Sequence, residues 1–232
     1  MKMLGVRYMK AVCIAIDGPA SSGKSTVAKL LAKSLGFIYV DTGAMYRTIT
    51  LASLNNNIDP KDESGLLALL KETTIKFGWQ EDGQHVWMNG QDVTDAIRSS
   101  KVTNLVSEIS MHPSVRQELV ARQREMARDG NIVMDGRDIG TTVLPNAQVK
   151  VFLVASVEER AKRRYEENLS KQIPTDFEQL KKEIEERDFK DSHRRVSPLI
   201  QADDAQLIDT TSLSIEEVVA KVKDLVKKQL IS

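Results

Sequence analysis

Two hydrophobic periodicities alternate along the chain. Short apolar runs rich in β-branched residues occur at 11–16 (AVCIAI), 37–40 (FIYV), 131–134 (NIVM), 149–154 (VKVFLV) and 205–208 (AQLI). Runs this continuous predict strands covered on both faces, as in a parallel sheet. Segments of helical period lie between them, at roughly 23–35, 43–56, 101–129, 157–169, 176–195 and 214–229. Three of these open on a Ser/Thr-x-x-Glu capping box: Ser156 with Glu159, Thr175 with Glu178, and Ser214 with Glu217. The alternation predicts an α/β fold built on a parallel sheet. Asp17, Asp41, Asp135 and Asp209 follow four of the runs. Ligands of such folds gather at the carboxyl ends of the strands, so these acids mark the ligand-bearing edge.

One stretch breaks the rhythm. Residues 73–97 (TTIKFGWQEDGQHVWMNGQDVTDAI) hold two alternating segments around the turn signal EDG, followed by NG, which predicts a small antiparallel hairpin or three-stranded sheet. The chain is expected to form one domain, with a core at 11–60 and 101–232 and an insertion at 61–100. Composition adds mainly exclusions. Lys+Arg and Asp+Glu each number 33 in 232 residues, so a surface dominated by non-specific nucleic-acid or membrane binding is not expected. The single cysteine, Cys13, lies in an apolar run and reads as core packing. No run of eighteen apolar residues exists. The leader MKMLGVRYMK is too short in its apolar part, and too interrupted by Arg7, for a secretory signal, so the expected location is cytoplasmic.

Candidate chemistry starts at GPASSGKST, residues 18–26. Gly18, Gly23, Lys24 and Ser25 match G-x-x-x-x-G-K-[ST] between a predicted strand and a predicted helix. Glycines allow the backbone to close around phosphates, and successive N–H groups form an anion nest at a helix N-terminus. The loop Gly18, Pro19, Ala20, Ser21, Ser22, Gly23, Lys24, Ser25, Thr26 is therefore expected to hold ATP, with Lys24 on the terminal phosphates and the Ser25 hydroxyl on Mg²⁺. No guanine-reading Asn-Lys-x-Asp segment accompanies it, which argues against a GTPase switch.

Further charged motifs fall near the same edge. In DTGAMYR, Arg47 lies one turn into a helix; it is either a clamp on a second phosphate or an ordinary surface arginine. MDGRDIG follows the third core strand and places Asp135, Arg137 and Asp138 at its end. Asp135 suits orientation of water around Mg²⁺, Arg137 suits a phosphate and Asp138 an exocyclic amine; the bland alternative is an Asp-Gly turn. Arg187, Asp191 and Arg194 are spaced i, i+4, i+7 on one predicted helix, as a phosphate-binding stripe or as surface ion pairs. Arg160 with Arg163 or Arg164 occupies another helix that runs into NLSKQIPTD, which reads as a mobile lid or as a solvated helix.

Taken together, IDGPASSGKST, DTGAMYR, SEISMHPSVR, DGRDIGT, EERAKRR, ERDFKDSHRRVSPL and DTTSLSIEEV resemble the bacterial cytidylate kinases, within the nucleoside monophosphate kinases, in order over residues 11–230. The resemblance implies a P-loop fold with a five-stranded parallel sheet flanked by helices, a monophosphate-binding insertion and a helical lid at 156–175. It implies γ-phosphoryl transfer from ATP to CMP or dCMP with Mg²⁺, and a monomer. Thr42, Ser107, Arg116, Asp138, Arg187, Asp191 and Arg194 would contact CMP, Ser107 and Asp138 reading cytosine and Asp191 the sugar hydroxyls. Arg47, Arg137 and Arg194 would clamp phosphate, with Lys24, Arg137, Arg160 and Arg164 acting on the transferred group. Small departures are Thr42, where serine is also common, and Ser25, where some members carry glycine. His85, His112 and His193 are expected on or near the surface, without catalytic roles.

Three rivals follow from the same residues: a kinase of this architecture with another acceptor, a slow ATPase switch, and nucleic-acid binding by the arginine-rich helices. The last is opposed by the acids interleaved at 157–168 and 186–195.

Overall fold

The computed structural model describes residues 11–231, so the leader lies outside the described residues. Five parallel strands form the main sheet: β1 (Cys13–Asp17), β2 (Ile38–Asp41), β6 (Ile132–Gly136), β7 (Val149–Val154) and β8 (Gln206–Asp209), in the order β2-β6-β1-β7-β8. The uninterrupted apolar runs have a direct cause. Ala15, Ile132 and Met134 face one core, while Ile14, Ile16, Val133 and Val151 face another on the opposite side of the sheet. All five positions of β6, and all of β1 but Cys13, are thus buried on one face or the other. Helices α1 (Lys24–Leu35) and α8 (Ile215–Ile231) close the second face, and α2 (Thr42–Asn55), α4 (Ser100–Ile109) and α5 (Pro113–Met126) the first. Helix α6 (Val157–Ser170) pairs with α7 (Phe177–His193) beside the strand ends.

The interruption at 73–97 is a separate antiparallel sheet of β3 (Ile75–Gln80), β4 (Gly83–Met88) and the two-residue β5 (Gln91–Asp92). It is preceded by α3 (Glu63–Glu72), a helix that the periodicity did not predict. Asp62 caps α3 by accepting from the Gly65 N–H, and its buried Leu66 and Leu70 lie on the α5 side of the core. Packing of the insertion therefore continues past residue 100 into α4 and α5.

Three local expectations are corrected. The single helix expected over 101–129 is α4 and α5, because Pro113 forces His112 into extended backbone (ψ 120°) and starts a new helix. Thr175 does not cap α7; Asp176 does, accepting from the Gln179 N–H at 2.7 Å. Helix α7 also ends at His193, so Arg194, in extended backbone, leaves the helical stripe. By contrast the Ser214–Glu217 box closes reciprocally, with bonds of 3.2 and 2.8 Å.

Candidate active site

The phosphate-loop segment is shaped by backbone sterics. At Gly18 (φ 153°) an added Cβ would stand 2.2 Å from the Leu153 carbonyl oxygen, so only glycine lets the loop pass β7. Gly23 (φ 86°) is the left-handed N-cap of α1 and carries no side chain to satisfy the first helical N–H groups. That leaves the end of α1 as an anion site. The Ser22 hydroxyl is buried without a hydrogen-bond partner. Beneath the loop, buried Asp17 accepts from the backbone N–H groups of Ile139 (2.8 Å) and Gly140 (2.7 Å), which ties the end of β1 to the segment that follows β6. Burial pushes the Asp17 carboxyl up to about 6, against those two bonds.

Lys24 and Ser25 open α1 over the sheet edge. Lys24 is buried and its ammonium donates to the Pro19 carbonyl at 3.0 Å. Burial, reinforced by Arg137 and Arg187, pushes it down to about 7. The Ser25 hydroxyl donates to Asp135 Oδ2 at 2.6 Å, and the Tyr39 hydroxyl donates to Oδ1 at 2.7 Å. Strand register sets Asp41 beside Asp135. Burial and this neighbouring acid raise Asp135 to about 6, with Lys24 opposing. A serine hydroxyl and a carboxylate are hard oxygen ligands that fit Mg²⁺. Among the described residues no three His, Cys, Asp or Glu side chains converge as a cage, so an ion here would keep water and phosphate ligands.

Across from the loop lies a crowd of cations. Arg47 is no ordinary surface arginine: it is largely covered, donating to Thr103 Oγ1 (2.8 Å) and the Ile97 carbonyl (3.3 Å). Burial lowers the Arg47 guanidinium, as do Arg187 and Arg164. Burial also lowers Arg187, with Arg137 and Arg164 adding to the effect, and the Arg187 Nε is buried without a partner. Arg187 thus stands among Lys24, Arg47, Arg137 and Arg164 and is the cation they share as a neighbour, an arrangement that anionic oxygens relieve.

Acids fix the outer half of this cleft. Asp191 is buried on α7 and accepts from Arg137 Nε at 2.8 Å. Despite its burial, Arg137 and Arg187 hold it below the usual carboxylate range. Asp138 is buried between Arg116, which pairs with Oδ2, and Arg194, whose Nη2 stands 3.5 Å from Oδ1. Arg194 leaves the helix to donate to the Ser197 carbonyl at 2.6 Å, and Arg116 lies 5.4 Å over the Tyr46 ring. Thr42 directs its hydroxyl to the Asp135 carbonyl at 2.7 Å. Ser107 stands half-buried on the last turn of α4, accepting from Ser110 through its carbonyl.

The α6 arginines divide. Arg160 is buried, paired with Asp188 at 2.6 Å, and reaches the Ala20 carbonyl of the phosphate loop at 3.2 Å. Arg163 bonds Thr210 through both the hydroxyl and the carbonyl and lies next to Gly23. Arg164 pairs with Glu167 at 3.3 Å on the side facing Arg47 and Arg187. Asp17 and Asp188 were not singled out as site residues by the sequence. Asp17 had a signal in its strand-end position, whereas Asp188 had none without the packing of α6 on α7. The histidines stand apart from this cleft: His85 lies between Asp82 and Asp92, His112 contacts Pro60 and His193 stacks on Phe189.

Comparison with known proteins adds an independent line. The family profile described as cytidylate kinase matches residues 14–228. A cytidylate kinase of Enterococcus faecalis is 59% identical over 221 residues, covering 95% of this chain and 98% of its own. One of Geobacillus sp. is 58% identical over 217 residues, covering 94% and 97%. The crystal structure of an uncharacterized protein from Eubacterium ventriosum superposes with a TM-score of 0.51 at 12% identity, over 94% of this chain and 99% of the other, a likeness of fold alone.

Proposed function

The chain belongs to the cytidylate kinase family, and from that premise we propose that it moves the γ-phosphoryl group of ATP to CMP or dCMP, giving ADP and CDP or dCDP. The observation that carries the reading is the cleft in which Lys24 on the loop side meets Arg47, Arg137 and Arg187 on the other, each disfavoured as a cation by burial or by its neighbours except Arg137, which Asp191 steadies. Such a cleft is preorganised for two phosphate groups brought end to end.

In this reading residues 18–26 hold the donor phosphates on backbone N–H groups, with Lys24 at the terminal one. An oxygen of the acceptor phosphate forms the new bond to the γ-phosphorus as the bond to the β–γ bridging oxygen breaks. The attacking oxygen is already anionic, so no side chain need remove a proton; positioning and charge neutralisation carry the step. Mg²⁺, when bound, would neutralise donor phosphate charge, held by Ser25 directly and by Asp135 through water. Arg47, Arg137 and Arg187 orient the acceptor phosphate. Asp191, gripped by Arg137, is placed for sugar hydroxyls, which suits deoxyribose as well as ribose.

Asp138, held by Arg116 and Arg194, accepts from the exocyclic amine of cytosine, with Ser107 as its partner and Thr42 lining the floor. Residues 61–100 with α4 and α5 form the acceptor-binding wall, and 156–175 the lid that carries Arg160 and Arg164. Lid closure keeps water from the transferred group. In this reading the protein acts as a monomer, and no described helix is long and apolar enough to cross a membrane. A cytoplasmic pool of nucleotides is the corresponding setting.

The test is ADP formation from Mg·ATP with CMP, dCMP, UMP, AMP or no acceptor. Fast turnover with CMP and dCMP is expected. Turnover independent of acceptor would make the protein an ATPase, and preference for AMP would remove the role given to Ser107 and Asp138.

A further inference from the structure

Tyr39 lies in the strand run FIYV and is only 1% exposed, as expected of a core residue. Its hydroxyl nevertheless sits at the centre of the donor side. It donates to Asp135 Oδ1 at 2.7 Å while Ser25 donates to Oδ2 at 2.6 Å, so two hydroxyls from different elements grip opposite oxygens of one buried carboxylate. With both oxygens held, rotation of the carboxylate is blocked and the Ser25 O–H points at Asp135. The lone pairs of the Ser25 oxygen are then left for another partner.

The tyrosine is itself fixed. Its ring packs in the core shared with α1 and α8, the Lys29 ammonium lies 5.9 Å from the ring centroid, and its carbonyl accepts from Gln84 of β4 at 2.8 Å. The last bond connects the small antiparallel sheet to the strand that carries the hydroxyl.

We propose that Tyr39 is the positioning residue of the donor centre: through Asp135 it fixes the hydroxyl–carboxylate pair that receives Mg²⁺ with the nucleotide. The proposal rests on the reading of Ser25 and Asp135 as the metal-holding pair. Outer partners that orient a metal ligand typically change metal affinity about 10–100-fold when removed. Tyr39→Phe deletes one oxygen and keeps the ring, so the core stays filled.

The test measures ATP binding by calorimetry, without acceptor, in EDTA and across a Mg²⁺ titration, for wild type, Tyr39→Phe, Asp135→Asn and the double variant. Wild type is expected to bind ATP more tightly with Mg²⁺. Tyr39→Phe should bind as wild type in EDTA and need about 10-fold more Mg²⁺ to reach the enhanced affinity. In the Asp135→Asn background the phenylalanine should have no further effect. An unchanged Mg²⁺ requirement in Tyr39→Phe would overturn the proposal, as would equal weakening with and without Mg²⁺ or full additivity with Asp135→Asn. If wild type itself shows no Mg²⁺ enhancement, the reading of Ser25 and Asp135 fails first and takes the proposal with it. Thermal melting checks the fold of each variant; where Tyr39→Phe has lost it, Tyr39→Leu takes its place in the same cycle, and where Asp135→Asn has lost it, the Mg²⁺ requirement of the position-39 variant alone decides.

Discussion

The two halves of the cleft are made in different ways. The proposed donor half is built on nine consecutive residues, 18–26, with Asp135 and Tyr39 added from neighbouring strands, and its loop owes its shape to backbone: two glycines at positive φ, a helix N-terminus without a side-chain cap, and a carbonyl that Gly18 must pass at close range. The proposed acceptor half has no such continuity. Arg47 comes from α2, Arg116 from α5, Asp138 from the turn after β6, and Arg187, Asp191 and Arg194 from α7 and its end. Its geometry is held by side chains pairing across elements, Arg137 with Asp191 and Arg116 and Arg194 with Asp138. A local backbone site tolerates changes elsewhere in the chain. A lattice of buried ion pairs ties binding to the stability of the fold.

The largest effect expected from this contrast is at Lys24. Lys24→Ala should lower transfer about 10²–10³-fold or more, the scale of losing one preorganised charge-stabilising group. Its melting temperature should not fall, because the residue is a buried cation already disfavoured by burial and by Arg137. Single-turnover assays beside thermal melting decide this. Transfer near the wild-type rate would remove residues 18–26 from the donor role.

Asp138→Ala should do the reverse, with a smaller kinetic effect and a real loss of stability. Arg116 and Arg194 would be left as buried cations without their acid, and breaking such a pair costs about 3–5 kcal/mol. The KM for CMP should rise about 10–100-fold, the scale of about 1.4–2.7 kcal/mol of lost binding, while ATP affinity is retained. Asp138→Asn separates the two consequences, since it keeps the shape and loses the charge. Equal weakening of ATP and CMP binding would erase the distinction between the halves.

The same contrast governs what the sequence makes legible. The strand runs, their terminal aspartates and the GPASSGKST loop are local patterns, and the five-stranded parallel sheet follows from them. Helix α3 escaped because its start depends on an Asx cap at Asp62 and its apolar face on packing toward α5. The break at Pro113 was written in the sequence and was overridden by the longer helical period around it. Arg47, Arg187 and Arg194 carry no local mark that separates a clamp from a surface charge. Resemblance to a family drew them out, and burial together with mutual repulsion now distinguishes Arg47 and Arg187 from surface residues. Tyr39 left no functional trace at all, because a strand tyrosine within an apolar run looks the same whether or not its hydroxyl has a task.

The smallest effect expected is also the most specific to the contrast. Burial together with Arg137 and Arg187 pushes Lys24 from the ordinary 10.5 down to about 7, so at about pH 8 it is expected to be largely neutral when the cleft holds no phosphate. Anionic oxygens placed beside it favour its charged form, so ATP binding should draw in up to about one proton. The acceptor half offers no group lowered this far: Arg47 comes down only to about 9 and Arg187 to about 10, Asp191 lies below the usual carboxylate range and Arg137 above the usual guanidinium value, so all four stay mainly charged at about pH 8. Binding of CMP should therefore proceed without this uptake. Calorimetry at about pH 8 in two buffers of different ionisation enthalpy measures the difference, the ATP enthalpy depending on buffer and the CMP enthalpy not. The sign for folding is linked. Between about 7 and 10.5 the native state binds fewer protons at Lys24 than the unfolded chain, so this residue's cost to stability is full below that window and fades as pH rises through it. Lys24→Met should accordingly melt above wild type at about pH 6, with the gap narrowing by about pH 9. A buffer-independent ATP enthalpy together with a constant melting gap would mean that Lys24 is charged before phosphate arrives, and the donor half would then be as fixed in charge as the acceptor half.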